Sequence, residues 1–295
     1  MTEPIERFED DPDYRVLKRI KLRDWYHEPD GSQVLKGLYV DCETTGLCTA
    51  TDGVTELACI PISYLPDGRI TTVHEEAALI SLNDPGRPIP PEVTALTGID
   101  DTLVAGHKID ADRVRELVEE ADIILAHNAG FDRPILERFW PVFCERAWGC
   151  TWADINWGAE KIKATRLDYL SFQFGYFFDG HRAADDARAG IHLLTCTLPV
   201  SGKLVFSALL EKARQNSKRI WAVGAPYDLR AILKGRGYRW NSGDNGGHKA
   251  WWVDIPECDE SAEMEWLAQE IYGSPKMLPS AIITAYTRYS ERVLS

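Results

Sequence analysis

The chain is short of positive charge: 33 Lys and Arg stand against 46 Asp and Glu, a formal net charge of −13. That deficit excludes a protein that coats nucleic acid by bulk electrostatics. It does not exclude an enzyme that holds a few phosphates through cations, because a carboxylate-rich site is itself negative until cations fill it. No apolar run approaches the ~20 residues that cross a bilayer. The opening segment, Met1 to Asp13, is acidic and polar, unlike a secretory leader. The seven cysteines (Cys42, Cys48, Cys59, Cys144, Cys150, Cys196, Cys258) are odd in number and contain no C-x-x-C pair. Several lie inside apolar runs, which fits reduced thiols in a cytoplasmic protein better than disulfides or zinc. Internal repeats and low-complexity tracts are also missing.

What remains is a globular composition, 44% hydrophobic with ten Trp in 295 residues. That is enough for one full domain and a smaller module. Residues 1–34 are strongly charged and aperiodic, and read as an extension with one helix expected around Tyr14 to Trp25. From Leu35 the pattern changes. Gly37–Glu43, Glu56–Leu65 and Ile70–Ile80 are strand candidates, the last two joined by an Asp67-Gly68 turn, which predicts an antiparallel meander. After a Pro-rich break from Asp84 to Pro91, Asp110–Glu120 has helical spacing, Ile123–Ala126 is a compact buried strand and Phe131–Phe139 is helical. Leu167–Phe174 and Ala183–Leu194 are two further helices. The order βββ-α-β-α-α predicts an α/β unit with a mixed sheet over residues 35–200. Residues 201–295 read as a linker helix (Leu204–Gln215), a small βαββ segment (Arg219–Val253) and two C-terminal helices (Glu260–Tyr272 and Ser280–Val293).

Three segments carry chemistry. In Val40-Asp41-Cys42-Glu43-Thr44-Thr45-Gly46-Leu47, side chains two apart on a strand share a face, so Asp41 and Glu43 project together. Two such carboxylates repel unless a cation bridges them; the plain alternative is a solvated strand edge. In His127-Asn128-Ala129-Gly130-Phe131-Asp132, a polar pair ends an apolar strand and an acid begins a helix. Here the alternative is that Asn128 or Asp132 simply caps that helix. In His181-Arg182-Ala183-Ala184-Asp185-Asp186-Ala187, a loop histidine precedes a helix bearing two acids. Taken together the set explains itself. Phosphodiester cleavage needs in-line attack by water and stabilisation of a departing oxygen, which two hard cations roughly 3.5–4 Å apart serve at once. Such cations take carboxylate oxygens, and a neutral imidazole can accept the proton of the attacking water.

In this order and separation the three motifs resemble the DEDDh exonucleases, the superfamily of polymerase proofreading subunits, ribonuclease T and oligoribonucleases. The resemblance covers about Gly37 to Leu198. Pro91 to Ile99 is similar to the family's substrate-side helix, and Cys150-Thr151 also fits. The resemblance implies a ribonuclease H-like fold and a 3′→5′ exonuclease releasing nucleoside 5′-monophosphates. It further implies that Asp41, Glu43, Asp132 and Asp186 hold two Mg²⁺ or Mn²⁺ ions, with His181 as general base. The spacing H-x₄-D selects Asp186 over Asp185. Thr44 and Leu47 would meet the terminal nucleotide, and Asn128 and Phe131 would support site or substrate. The implied partner is a nucleic acid 3′ end, single-stranded DNA favoured and RNA possible. The alternatives are an RNA-trimming enzyme, or a non-catalytic or polymerase-associated subunit. The intact acids and histidine count against a non-catalytic role, and no clamp-binding segment is evident.

Outside that region, Ser201 to Glu257 holds ten Lys and Arg against five acids, with Trp221, Tyr227, Tyr238, Trp240, Trp251 and Trp252 interleaved. Cations that track phosphates and aromatics that stack on bases suit single strands. Lys234 to Trp252 also resembles small βαββ modules, with a Lys-x-x-Gly-x-x-Trp … Trp layout, attached to bacterial and phage nucleic-acid enzymes. The competing expectation is that these rings form the core of a small domain or a dimer contact.

Overall fold

The computed structural model describes residues 11–243 and 247–294. The acidic, polar stretch Met1 to Asp13 thus lies mostly outside the described residues, as do Asp244 to Gly246 of the basic module. The helix expected around Tyr14 to Trp25 does not form. Lys18–Arg19 (β1) instead pairs in parallel with Tyr176–Phe177. The stretch lacks a helical apolar period, while the carbonyls of Gly175 and Phe177 accept from Lys18 and Ile20 at 3.0 Å each. Arg15 and Arg19 lie over the rings of Phe172 and Phe177.

Leu35–Thr44 (β2), Val54–Tyr64 (β3) and Ile70–Val73 (β4) form the expected antiparallel meander. The single strand anticipated over Ile70–Ile80 is broken. A 3₁₀ turn at Glu75–Ala77 separates β4 from Leu79–Leu82 (β5), and both pieces pair with β3, at opposite ends of one edge. Pro91–Thr97 (α1) begins on Pro at its first position and stops at Gly98, whose φ of 71° only glycine adopts freely. The short Asp101–Val104 (α2) follows. Ala111–Glu120 (α3) is capped by Asp110, which accepts from the Asp112 and Arg113 amides at 3.0 and 3.1 Å.

Ile123–Ala126 (β6) is buried at all four residues, as a central parallel strand requires. It runs parallel to β2 on one side and, beyond Ala129–Phe139 (α4), to Ala147–Cys150 (β7) on the other. Leu167–Gln173 (α5), Tyr176–Phe177 (β8) and Ala183–Leu194 (α6) complete the pattern. The sheet order is β4-β3-β2-β6-β7, with β5 also on β3. A mixed six-stranded sheet flanked by helices is the ribonuclease H-like α/β fold expected. Helix α6 lies so close to the sheet that a Cβ added at Gly190 would sit 1.9 Å from the Tyr39 hydroxyl. Val205–Ala213 (α7) leads to the boundary between two compact units, which falls between Lys212 and Ala213.

In the second unit Ser217–Ala222 (β9), Arg230–Gly235 (α8), Arg239–Asn241 (β10) and Ala250–Pro256 (β11) form the anticipated βαββ segment. Glu260–Leu267 (α9) runs into a π-helical turn at Ala268–Tyr272. The helix expected over Ser280–Val293 is not there: Ser280–Ile283 (β12) is a strand on β9. Consecutive β-branched residues, Ile282 to Thr284, favour the strand, and β9 offers the pairing edge. The order is β10-β11-β9-β12.

The module's aromatics divide between both expectations. Trp221 and Tyr238 are buried, whereas Tyr227 and Trp240 remain 75% and 51% exposed. Part of its positive charge is used internally, in the pairs Arg219–Asp254, Arg236–Glu263 and Lys218–Glu260. Among the described residues no helix is long and apolar enough to cross a membrane.

Candidate active site

Strands β2 and β6 run in parallel, so their C-terminal ends open on the same side of the sheet. The first end carries Asp41 and Glu43, and the second runs into His127 and Asn128. Helix α6 brings Asp186 across, and one carboxylate oxygen from each of Asp41, Glu43 and Asp186 lies within 4.8 Å of the others. Asp132, in the first turns of α4, is 3% exposed and receives the Cys42 thiol at 3.4 Å. It stands beside that trio without being one of it. The capping alternative fails for both residues of the second motif. Asn128 precedes α4 in a left-handed conformation, φ 66°, and makes no side-chain bond to the helix end. Asp132 lies inside the helix.

Crowding and burial govern the charges. Burial first, then Asp186, Glu56 and Asp132, push Glu43 up to about 7 from an ordinary 4.5. Asp41 is raised well above its ordinary value, by burial and then by the charges of Asp132, Asp186 and Glu43. Asp132 and Asp186 are raised mainly by burial. Against this, Asp186 accepts the backbone N–H groups of His181 and Arg182 at 2.7 and 3.2 Å. Carboxylates that disfavour their own ionisation are what a divalent cation relieves. An all-oxygen donor set suits hard ions such as Mg²⁺ or Mn²⁺ and not soft ones.

His181 is exposed and has φ 68°, so the chain kinks immediately before α6 and turns this residue toward solvent. Asp185 pairs with Arg188 at 3.3 Å, and Arg188 in turn with Glu75 at 2.8 Å, which leaves Asp186 alone to join the trio. Thr44 is buried, its hydroxyl on the Gly46 carbonyl at 2.6 Å. Leu47 is 88% exposed, an apolar side chain presented to solvent four residues after Glu43, while Phe131 is half-buried. The loop bearing Leu47 is held from behind: Asp52 accepts from the Cys48 amide at 2.7 Å and the Thr45 hydroxyl at 3.1 Å, and Arg87 bonds both Thr45 and Asp52.

Sequence reasoning missed two residues here. Glu56 lies directly opposite Glu43 in the β2–β3 ladder. It is 2% exposed and takes both forks of Arg182 at 3.0 and 2.7 Å, together with the Ala183 amide at 2.9 Å. The signal was present: Glu56 is the one charged residue among the eleven of β3.

Comparison with known proteins agrees with this geometry. Residues 38–194, more than half of the chain, match the family model RNase_T, described as an exonuclease. A PolC-type DNA polymerase III of Listeria monocytogenes is 32% identical over 161 residues, covering 52% of this chain and 10% of the relative. A putative bifunctional exonuclease/endonuclease protein of Mycobacterium tuberculosis is 31% identical over 172 residues, covering 52% of this chain and 25% of the relative. The chain thus spans a quarter or less of the length of these two relatives. A crystal structure of E. coli exonuclease I, in complex with a dA13 oligonucleotide, superposes with a TM-score of 0.51 at 16% identity. It covers 85% of this chain and 63% of that one, a likeness of fold. With its fold, its acidic trio and more than half of its length matched, the chain belongs to the RNase_T exonuclease family.

Proposed function

We propose that the protein is a 3′→5′ exonuclease that hydrolyses nucleic acid, DNA by preference, to nucleoside 5′-monophosphates. The observation that carries this reading is the convergence of Asp41, Glu43 and Asp186 within 4.8 Å, at the end of the sheet where the adjacent strands β2 and β6 both terminate. Asp41, Glu43, Asp132 and Asp186 would hold two Mg²⁺ or Mn²⁺ ions. When bound, those ions supply charge stabilisation for the attacking and leaving oxygens.

The chain's own residues do the rest. His181, exposed beside Asp186, takes the proton from the attacking water through its imidazole. Leu47 offers an apolar surface to the terminal base, and the Thr45–Asp52–Arg87 bonds keep its loop in place. Asn128 and Phe131 would line the approach, and Thr44, buried with its hydroxyl on the Gly46 carbonyl, would shape the strand end that meets the terminal nucleotide. The preference for DNA rests on the relatives named as DNA polymerases. Seven free cysteines fit a reducing, cytoplasmic setting.

The test is digestion of DNA and RNA oligonucleotides labelled at either end, with and without Mg²⁺. A 3′ label should appear at once as mononucleotide, and a 5′ label should shorten stepwise. Release of mononucleotide from the 5′ end first, or undiminished cleavage in excess chelator, would overturn the direction or the metal dependence respectively.

A further inference from the structure

Glu56 and Arg182 make no approach to substrate in the reading above, yet they form a bidentate contact on the strand rung that carries Glu43. A carboxylate buried to 2% exposure is costly unless its lone pairs are taken up. Here three donors do so: the two guanidinium forks of Arg182 and the backbone amide of Ala183, the first residue of α6. The acceptor stands on β3, opposite Glu43. The contact therefore ties the start of α6 to the same rung of the ladder that carries one of the acids.

The residues around that tie are those the chemistry uses. His181 and Asp186 flank Arg182, and Asp186 accepts the His181 and Arg182 amides, so the turn and the acid move as one piece. Arg182 is also the nearby positive charge that eases ionisation of Glu43.

We propose that Glu56 and Arg182 are positioning residues for the nuclease. Their bidentate pair docks the first turn of α6 on the β2–β3 ladder, and so fixes Asp186 against Asp41 and Glu43 and sets where His181 stands. This rests on the exonuclease reading for its turnover, though not for its geometry. A backbone shift of about 1 Å at such a site is enough to lower turnover about 10²-fold. Glu56 is 2% exposed and its carboxylate is taken up by Arg182 and Ala183, so it offers the nucleic acid no contact and affinity should change far less.

The test compares the 295-residue chain with Glu56→Gln, which keeps shape and removes charge, and with Arg182→Lys, which keeps charge and removes the fork. Both should lower kcat about 10²-fold with KM within about threefold of the parent, and calorimetric titration of Mn²⁺ should show weaker binding as Asp186 drifts from its partners. Should Glu56→Gln fail to fold, Arg182→Lys, at the half-exposed end of the pair, still decides. Folded variants with lower melting temperature but unchanged kcat and unchanged Mn²⁺ affinity would reduce the pair to fold stabilisation and overturn the proposal. If the parent protein itself cleaves nothing, the exonuclease reading falls, while the Mn²⁺ titration continues to test the docking.

Discussion

Replacing Glu43 by Gln should stabilise the metal-free protein, and by an amount that depends on pH. The Glu43 carboxyl is moved from 4.5 to about 7 by burial and by the acids around it. At 1.36 kcal/mol per pH unit, its ionised form weakens the fold by about 3 kcal/mol at pH 8. Because the folded value lies above the unfolded one, the penalty is fully present above pH 7. It fades as pH falls through 7 and is gone below 4.5. Gln has the same size and cannot ionise, so it escapes the penalty at every pH. For a folding unit of this size, each kcal/mol moves the melting temperature by about 2–4 °C. In chelator at pH 8, Glu43→Gln should therefore melt about 6–12 °C above the parent. At pH 5 the gap should shrink to about 1 kcal/mol, since the parent is then protonated. Adding Mg²⁺ at pH 8 should raise the parent much more than the variant. Melting curves followed by circular dichroism from pH 5 to 8 decide the matter, and a gap that stays constant across that range would refute the argument.

His181→Ala should lower kcat by about 10²–10⁴ while leaving Mn²⁺ affinity intact; loss of metal affinity instead would mean the residue is not the base. Asp186→Asn should nearly abolish hydrolysis and Asp185→Asn should retain it, measured as mononucleotide release; the opposite result would assign the acid wrongly. Gly190→Ala should destabilise by about 3 kcal/mol or more, read by urea denaturation, because its Cβ would meet the Tyr39 hydroxyl. Trp240→Ala, at a half-exposed ring, should keep the fold and weaken single-strand binding by about 1–3 kcal/mol. Unchanged affinity by fluorescence anisotropy would leave the module as a packing element.

What was legible in the sequence followed physical regularity. Helix α6 matches its expected span residue for residue, because an Ala-rich run after a loop histidine leaves little choice of boundary. The acids of β2 were legible because a two-residue period fixes which side chains share a face. Strand β7 was not: Ala147–Cys150 is four residues long, with one Trp and one Gly, and its strandness comes from β6 alone. The ends of the chain misled for the same reason. Lys18–Arg19 and Ser280–Ile283 are strands because a partner edge accepts them, and a partner distant in sequence leaves no local mark. Glu56 was the instructive omission. An acid in an otherwise uncharged strand demands a partner, but nothing in the spacing says that Arg182, 126 residues later, supplies it.

The broken outer rim of the large sheet bears on how the protein behaves when concentrated. An uninterrupted edge of eleven residues along β3 would invite another chain to add a strand and begin a fibre. That edge is instead occupied by two strands of four residues each, with the Glu75–Ala77 turn between them. The outer edge of β4 is already taken, with the Tyr26 amide on the Thr71 carbonyl at 2.9 Å and the Val73 amide on the Asp24 carbonyl at 3.0 Å, and a newcomer at β5 meets at most four consecutive strand residues before the turn that carries Glu75 and Glu76. A stretch that short gives little cooperative pairing. The interruption within Ile70–Ile80, a segment that reads as one strand from sequence, thus works as a guard against self-assembly at that rim.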